Sequence, residues 1–398
     1  MTRYCLVAIC LGLSACVTHE VRMVDMTPPQ QFEGTQSEDQ LLDIGVAVFD
    51  ANVPESFDEQ VKQLIQPDIR RAEAQFIPYF AKNLLQSTGN WGAVRVVPRP
   101  THAVDVTVTG KILESNGERL RVEVTVIDAR GVEWFTKTYE SLASKYAYED
   151  TIPPDIDPFQ SNYKNLADDM LIYRLTLDDQ TVATIRATAE MKFARDFAPD
   201  AFASHVRETS DGVELTRLPA HDDPMLSRVR RVREREYLFI DTLDEYYAKF
   251  NRDMSGAYQN WRAATYSEAI AYRQLKAQSR ARAIGGAGAI VGGVLAIYES
   301  SDAYVDASGL VSVLSGAALL KSAIGKRHEA EMQAEVLQEI GVSAEAEIIP
   351  HTIELENQTV RLQGTVDEQY TELRRILREV YFEDLGLPPP APEEPESV

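Results

Sequence analysis

VRVVPRPTHAVDVTVTGKILESNGERLRVEVTVIDARG, residues 94–131, alternates apolar and polar residues in runs separated by turn formers. Val94 to Val97 reads as a strand that ends at Pro98. Val104, Val106 and Val108, continued by Lys111-Ile112-Leu113, form the next one. Ser115-Asn116-Gly117 predicts a hairpin turn, because Asn-Gly tolerates positive φ. Leu120, Val122, Val124 and Val126 alternate on the return strand, which places all four on one face. Asp128 to Gly131 then turns the chain into a last strand, Val132 to Tyr139.

Upstream, Ile44 to Phe49 is a short apolar run between Asp43 and Asp50, as a buried strand requires. Ile69, Ala72, Phe76, Phe80 and Leu84 recur at helical spacing, and Gly89 follows as a stop. Pro78 is expected to kink or interrupt this helix, since it lacks an N–H. The order β-α-β-β-β follows for residues 41–145.

Val108-Thr109-Gly110, Asn116-Gly117 and Val124-Thr125-Val126-Ile127-Asp128 carry a resemblance. Their arrangement is similar to the N-terminal α/β domain of the TolB family. Related modules occur in periplasmic lipoproteins of the CsgG and penicillin-binding-protein-activator type and in polysaccharide-export lipoproteins. The resemblance spans about a quarter of the chain and implies an adaptor-like periplasmic domain. The chain departs from that family in lacking propeller repeats and in carrying Pro78.

Residues 146–282 read as a helical region. Val229, Val232, Ile240, Leu243, Tyr247, Phe250, Met254, Tyr258 and Trp261 step by three and four, with a gap at Glu236. This stripe predicts one long helix packed on a partner. About 50 residues would extend roughly 75 Å. Residues 283–327 are apolar and rich in small residues. Gly285, Gly288, Gly292, Gly293, Gly309 and Gly316 remove side-chain bulk, as in a glycine zipper, and predict a close-packed helical hairpin. Each arm rises only about 21–24 Å, short of the ~30 Å hydrocarbon core, so burial in protein and contact with membrane both stay open. In residues 328–387, strands at 348–355 and 359–364 precede a helix at 367–385 that buries Leu373, Ile376, Leu377 and Val380. Residues 388–398 form an acidic tail. The fold class is therefore α+β: a small α/β domain, then a mainly helical region, then a short β-hairpin and a helix.

At the N-terminus, Arg3, the apolar run Tyr4 to Leu13, and Leu13-Ser14-Ala15-Cys16 build a signal peptide, residues 1–15. The last four resemble the lipobox of bacterial lipoproteins. That resemblance implies an acyl lipid on Cys16 and a mature chain beginning there. Val17 follows in place of the Asp that favours inner-membrane retention in enteric-type lipoproteins, which implies the outer membrane, facing the periplasm. Residues 16–40, with Pro28-Pro29, read as a flexible tether with a reach of roughly 25–30 Å. Of the three cysteines only Cys16 would remain, so no internal disulfide is expected.

The net charge of −22 argues against a nucleic-acid partner. No chemical motif stands out. Gly286-Ala287-Gly288 with Gly292 misses the dinucleotide fingerprint and follows a helical pattern. Ser161 and Lys164 match Ser-x-x-Lys, but the partner motifs of penicillin-binding enzymes are missing. His19, His102, His205, His221, His328 and His351 are scattered, without metal-ligand spacing. Asp155, Asp157 and the pairs Asp168-Asp169, Asp178-Asp179 and Asp222-Asp223 suit helix caps and solvated faces. Arg228, Arg230, Arg231, Arg233 and Arg235 suit internal ion pairs. No metal, cofactor or catalytic residue is assigned.

The reading is a non-enzymatic lipoprotein anchored through Cys16, a scaffold or assembly factor with envelope protein partners or self-association. Its alternatives are a membrane-inserting oligomer built on the Gly-rich hairpin and, behind that, a cell-wall hydrolase.

Overall fold

The computed structural model describes residues 27–284, apart from Thr35, Leu64, Lys145, 149–156, Asp211 and His221, and residues 352–388, apart from 356, 357 and Gln363. The fold mixes helices with a five-stranded N-terminal sheet. Strand β1 (Ile44–Ala47) leads through α1 (Phe57–Lys62) and α2 (Pro67–Thr88) to β2 (Val94–Val97). Strands β3 (Val106–Ser115), β4 (Arg119–Asp128) and β5 (Glu133–Leu142) complete the order β2-β1-β3-β4-β5. Strand β1 pairs in parallel with β2 and β3, and β3 to β5 form an antiparallel meander.

The period of two decides the faces of that meander. Val106, Val108, Ile112, Leu120, Val122, Val124 and Val126 are buried in the first core. Helices α2, α3 (Gln160–Arg174) and α4 (Asp179–Phe197) supply its other side. The opposite face of the meander is polar. Thr109, Thr125 and Thr136 lie side by side across three strands, and the hydroxyls of Thr125 and Thr136 are 2.8 Å apart.

After a short helix α5 (Pro199–Phe202), a hairpin forms from β6 (Val206–Thr209) and β7 (Gly212–Leu215). The sequence reading had this stretch within a helical region. Its strands are only four residues long and mostly exposed or half-buried, too short to show a period, and Gly212, which opens β7 opposite Thr209, has φ of +124°. Helix α6 (Pro224–Ile284) follows as 61 continuous residues, about 90 Å. Asp223 starts it by accepting from the N–H groups of Met225 and Leu226 at 2.8 and 3.2 Å. All nine residues of the predicted stripe are buried. A hairpin of β8 (Thr352–Leu355) and β9 (Gln358–Arg361) precedes α7 (Val366–Asp384); residues 348–351 of the first expected strand lie outside the described residues, and the second ends at Arg361, short of Gly364. Thr365 and Glu368 form a capping box at the start of α7. Leu373, Ile376, Leu377 and Val380 bury against α4 and α6 in a second core, as predicted.

Pro78 does not interrupt α2. The carbonyl of Ala74, which a Pro at position 78 leaves without its helical donor, accepts from the N–H of Phe49 at 2.9 Å. The freed acceptor thus ties the helix to the end of β1. Gly89 ends α2 in the left-handed region at φ of +68°. Gly117 corrects the expected reason for its turn, since it is not among the positive-φ glycines. The turn is held by Asn116, whose side-chain oxygen accepts from the N–H groups of Glu118 and Arg119 at 2.8 and 2.9 Å. Gly117 is there for clearance: a Cβ would lie 2.0 Å from the carbonyl oxygen of Arg262 on α6.

The stretch read as a tether is fixed to the body over its second half. The N–H of Gln30 donates to Asp168 at 2.7 Å, and Asn90 donates to the Gln30 carbonyl at 3.0 Å and accepts from the N–H of Phe32 at 2.8 Å. Arg186 and Arg174 hold the carbonyls of Glu38, Leu41 and Gln40. Proline and polar composition concealed this, because backbone groups make the bonds. No helix among the described residues is long and apolar enough to cross a membrane.

Candidate functional site

Two buried polar clusters fix α6 to the rest of the chain. In the first, Arg262 is fully buried and donates to Asp157 at 2.8 Å and to the hydroxyl of Tyr258 at 2.7 Å. Tyr258 donates onward to Glu73 of α2, which also accepts from Ser115 of β3 at 2.5 Å and pairs with Arg70 at 3.3 Å. Arg70, Glu73, Asp157 and Arg262 are all buried, two cations against two anions. Such a cluster is tolerable only because each charge has a partner. The guanidinium also lies over the rings of Tyr258 and Phe159, at 3.9 and 4.7 Å. The sequence carried no sign of this: Arg262 stands one residue beyond the last member of the apolar stripe.

The second cluster fills the gap in that stripe. Glu236 is fully buried and accepts from Tyr370 of α7 at 2.6 Å, and the Thr101 hydroxyl lies 2.9 Å from the Tyr370 oxygen. Arg374 stands 3.7 Å from Glu236 and donates to Asp196 of α4 at 3.1 Å. Asp196 also bonds His102 at 2.9 Å. Burial pushes the Asp196 carboxyl up, but the bond from His102 and the charges of His102 and Arg374 outweigh it and hold Asp196 below the usual range.

Thr101, His102, Lys192, Asp196 and Arg374 line a cleft of about 280 Å³ beside the polar sheet face. Burial lowers the pKa of Lys192, whose ammonium donates to the Ala129 carbonyl at 3.1 Å. The His102–Asp196 pair could orient a general base. Among the described residues, no nucleophilic hydroxyl is bonded to that imidazole, and Asp196 is already shared with Arg374. The arrangement ties the β2–β3 loop to α4 and α7. Among the described residues no group of three His, Cys, Asp or Glu could hold a metal ion.

Cys16, Gly285, Gly288, Gly292, Gly293, Gly309 and Gly316 lie outside the described residues, as do most of the Gly-rich segment and the acidic tail. Lys164 pairs with Asp168 at 3.1 Å on α3. Of the arginine cluster, Arg230 pairs with Glu190 at 2.6 Å, and Arg233 donates twice to the Ala103 carbonyl, at 3.1 and 2.6 Å. Asp178 and Asp223 cap helices, while Asp157, Asp168 and Asp169 are partners of Arg262, Lys164 and Lys137.

The clusters give the body a direction. The N-terminal strap sits by Asn90 and Asp43, at the N-terminal ends of β1 and β2. Helix α6 runs along α2 from the Lys82–Asp244 pair to the Trp261–Gln66 bond. It then passes Gly117, at the C-terminal end of β3. The chain thus enters at one end of the sheet, and α6 leaves at the other. No family model matches the chain, and neither a curated protein nor a solved structure matches it significantly.

Proposed function

We propose that this chain is a lipid-anchored, non-enzymatic scaffold of the bacterial envelope, held through an acyl chain on Cys16 at the periplasmic face of the outer membrane. In this reading it binds envelope proteins or itself, and takes no nucleic acid. The observation that carries it is the direction of the body. The strap that leads back to Cys16 lies at one end, and α6 leaves at the other, directly before Gly285. A long helix clamped by buried charges suits presentation of the segment that follows it. The residues 283–327 that α6 leads into would form the close-packed helical hairpin, with Gly285, Gly288, Gly292, Gly293, Gly309 and Gly316 at its contact face. Self-association or partner binding through that hairpin would then occur away from the anchoring lipid. The α/β body fits the adaptor role that its TolB-like pattern implies.

Photocrosslinking from positions near the end of α6 in intact envelopes tests this. A discrete partner or a crosslinked dimer is expected, and recovery of neither would overturn the reading. Fractionation of the Cys16→Ser variant separates it from the alternative. Release of that variant into the soluble fraction is expected. Retention against extraction would favour a membrane-inserting oligomer.

A further inference from the structure

The strap fixes where the chain meets the body. The N–H of Gln30 bonds Asp168 on α3. From Cys16 to Thr27, the first described residue, there are eleven residue steps, which span at most about 40 Å at full extension. An anchored Cys16 therefore holds this end of the body close to the lipid, whatever path those residues take.

The same end carries an unpartnered apolar stripe. Asp168 and Ile172 of α3 and Leu175, its C-cap residue in helical conformation, follow at spacings of four and three, so they lie on one side of the helix end. Ile172 and Leu175 are 52% and 53% exposed. Leu175 lies only about 10 Å along the helix from Asp168, where Gln30 is held. Lys164 and Lys137 are paired with Asp168 and Asp169, while Asp178 and Asp179, just beyond Leu175, are exposed. Other large apolar residues are exposed singly, Leu218, Leu238, Leu387 and, most of all, Phe57 of α1 at 73%. It stands before the start of α2, at the far end of a helix about 33 Å long.

We infer that the strap side of the body, with Ile172 and Leu175 on it, lies against the lipid surface that holds Cys16. This rests on the lipid-anchor reading. The chain reaching that surface is short and enters beside the stripe, so the membrane is the partner nearest to it. Phe57 and the exit of α6 then face away.

The test uses the full lipidated protein in phosphatidylethanolamine–phosphatidylglycerol vesicles that contain a spin-labelled phospholipid. With Cys16 acylated, a cysteine placed at 172, 175 or 57 is the only free thiol of the mature chain and takes a bimane label. All three positions are exposed, and circular dichroism checks that each variant is folded. Quenching several-fold stronger for Ile172→Cys and Leu175→Cys than for Phe57→Cys is expected. Mass measurement of the N-terminal peptide reports the acyl chain separately. If Cys16 is acylated and the protein is bound, but all three labels are quenched alike or Phe57→Cys the most, the surface assignment fails alone. If Cys16 carries no lipid, both the anchor reading and the surface assignment fail.

Discussion

The backbone N–H of Phe49 donates to the carbonyl of Ala74 at 2.9 Å, and it does so because Pro78 leaves that carbonyl free inside α2. A residue that breaks helices elsewhere here supplies the attachment between helix and sheet. An interior Pro ordinarily costs a helix about 3 kcal/mol relative to Ala. Pro78→Ala is expected to gain well under that amount in urea unfolding, since the acceptor already has a donor and a new N–H would compete with Phe49. A gain of the full amount would show that the Phe49 bond contributes nothing.

Gly89 and Gly117 both end a segment, for different reasons. Gly89 needs positive φ and has open space around it, so Gly89→Asn is expected to be nearly neutral. Gly117→Asn is expected to destabilise by about 1–3 kcal/mol, because any Cβ meets the Arg262 carbonyl at 2.0 Å and the Tyr266 nitrogen at 2.5 Å. Parallel denaturant melts of the two variants distinguish conformation from clearance.

Arg262 completes a balanced buried cluster. Arg262→Met leaves Asp157 without its cation, while Glu73 keeps Arg70, and is expected to cost about 3–5 kcal/mol. Adding Asp157→Asn removes the stranded charge and is expected to restore part of that loss. Limited proteolysis should show cleavage beyond residue 262 rising in the single variant and falling again in the double. Equal loss in both would mean that the cluster does not couple α6 to the loop carrying Asp157.

Asp105 sets a pH dependence. It is 4% exposed, and burial raises its pKa to about 6, although Arg233 and the N–H of Asp43 favour the charge. The folded state therefore holds this proton more tightly than the unfolded chain, whose carboxyl has a pKa of 3.8. The contribution of Asp105 to stability is full below about pH 4, falls as pH rises toward 6 and is lost above it, a span of roughly 3 kcal/mol. Asp105→Asn keeps an acceptor for Asp43 and is expected to remove this slope. The measurement is the wild-type minus variant difference in unfolding free energy between pH 4 and pH 7. A flat difference would contradict the buried, proton-binding Asp105.

Much of the fold was legible in local pattern. Leu120, Val122, Val124 and Val126 sit on one buried face because a strand alternates its side chains whatever its surroundings. The stripe from Val229 to Trp261 is buried for the same kind of reason, at helical period. The β6–β7 hairpin was not legible, because four-residue strands are too short to carry a period. Nor was the strap, whose hydrogen bonds are made by main-chain groups of residues 30–41 to side chains up to 148 positions away. The interlocking contacts around the cleft were equally invisible. His102, Asp196, Glu236 and Arg374 come from four separate segments, and no spacing links them.

The amino-acid sequence by itself determined the strands of the N-terminal sheet, the long helix and the helix caps at Asp178 and Asp223, all of which depend on neighbours within a turn or two. Tertiary structure alone decided the rest. It made Pro78 a link, Gly117 a point of close approach, and Glu236 and Arg262 buried partners. It also set the entry of the chain and the exit of α6 at opposite ends of the sheet. Each of these depends on which distant group occupies the space beside a residue, and that is decided only when the helices pack.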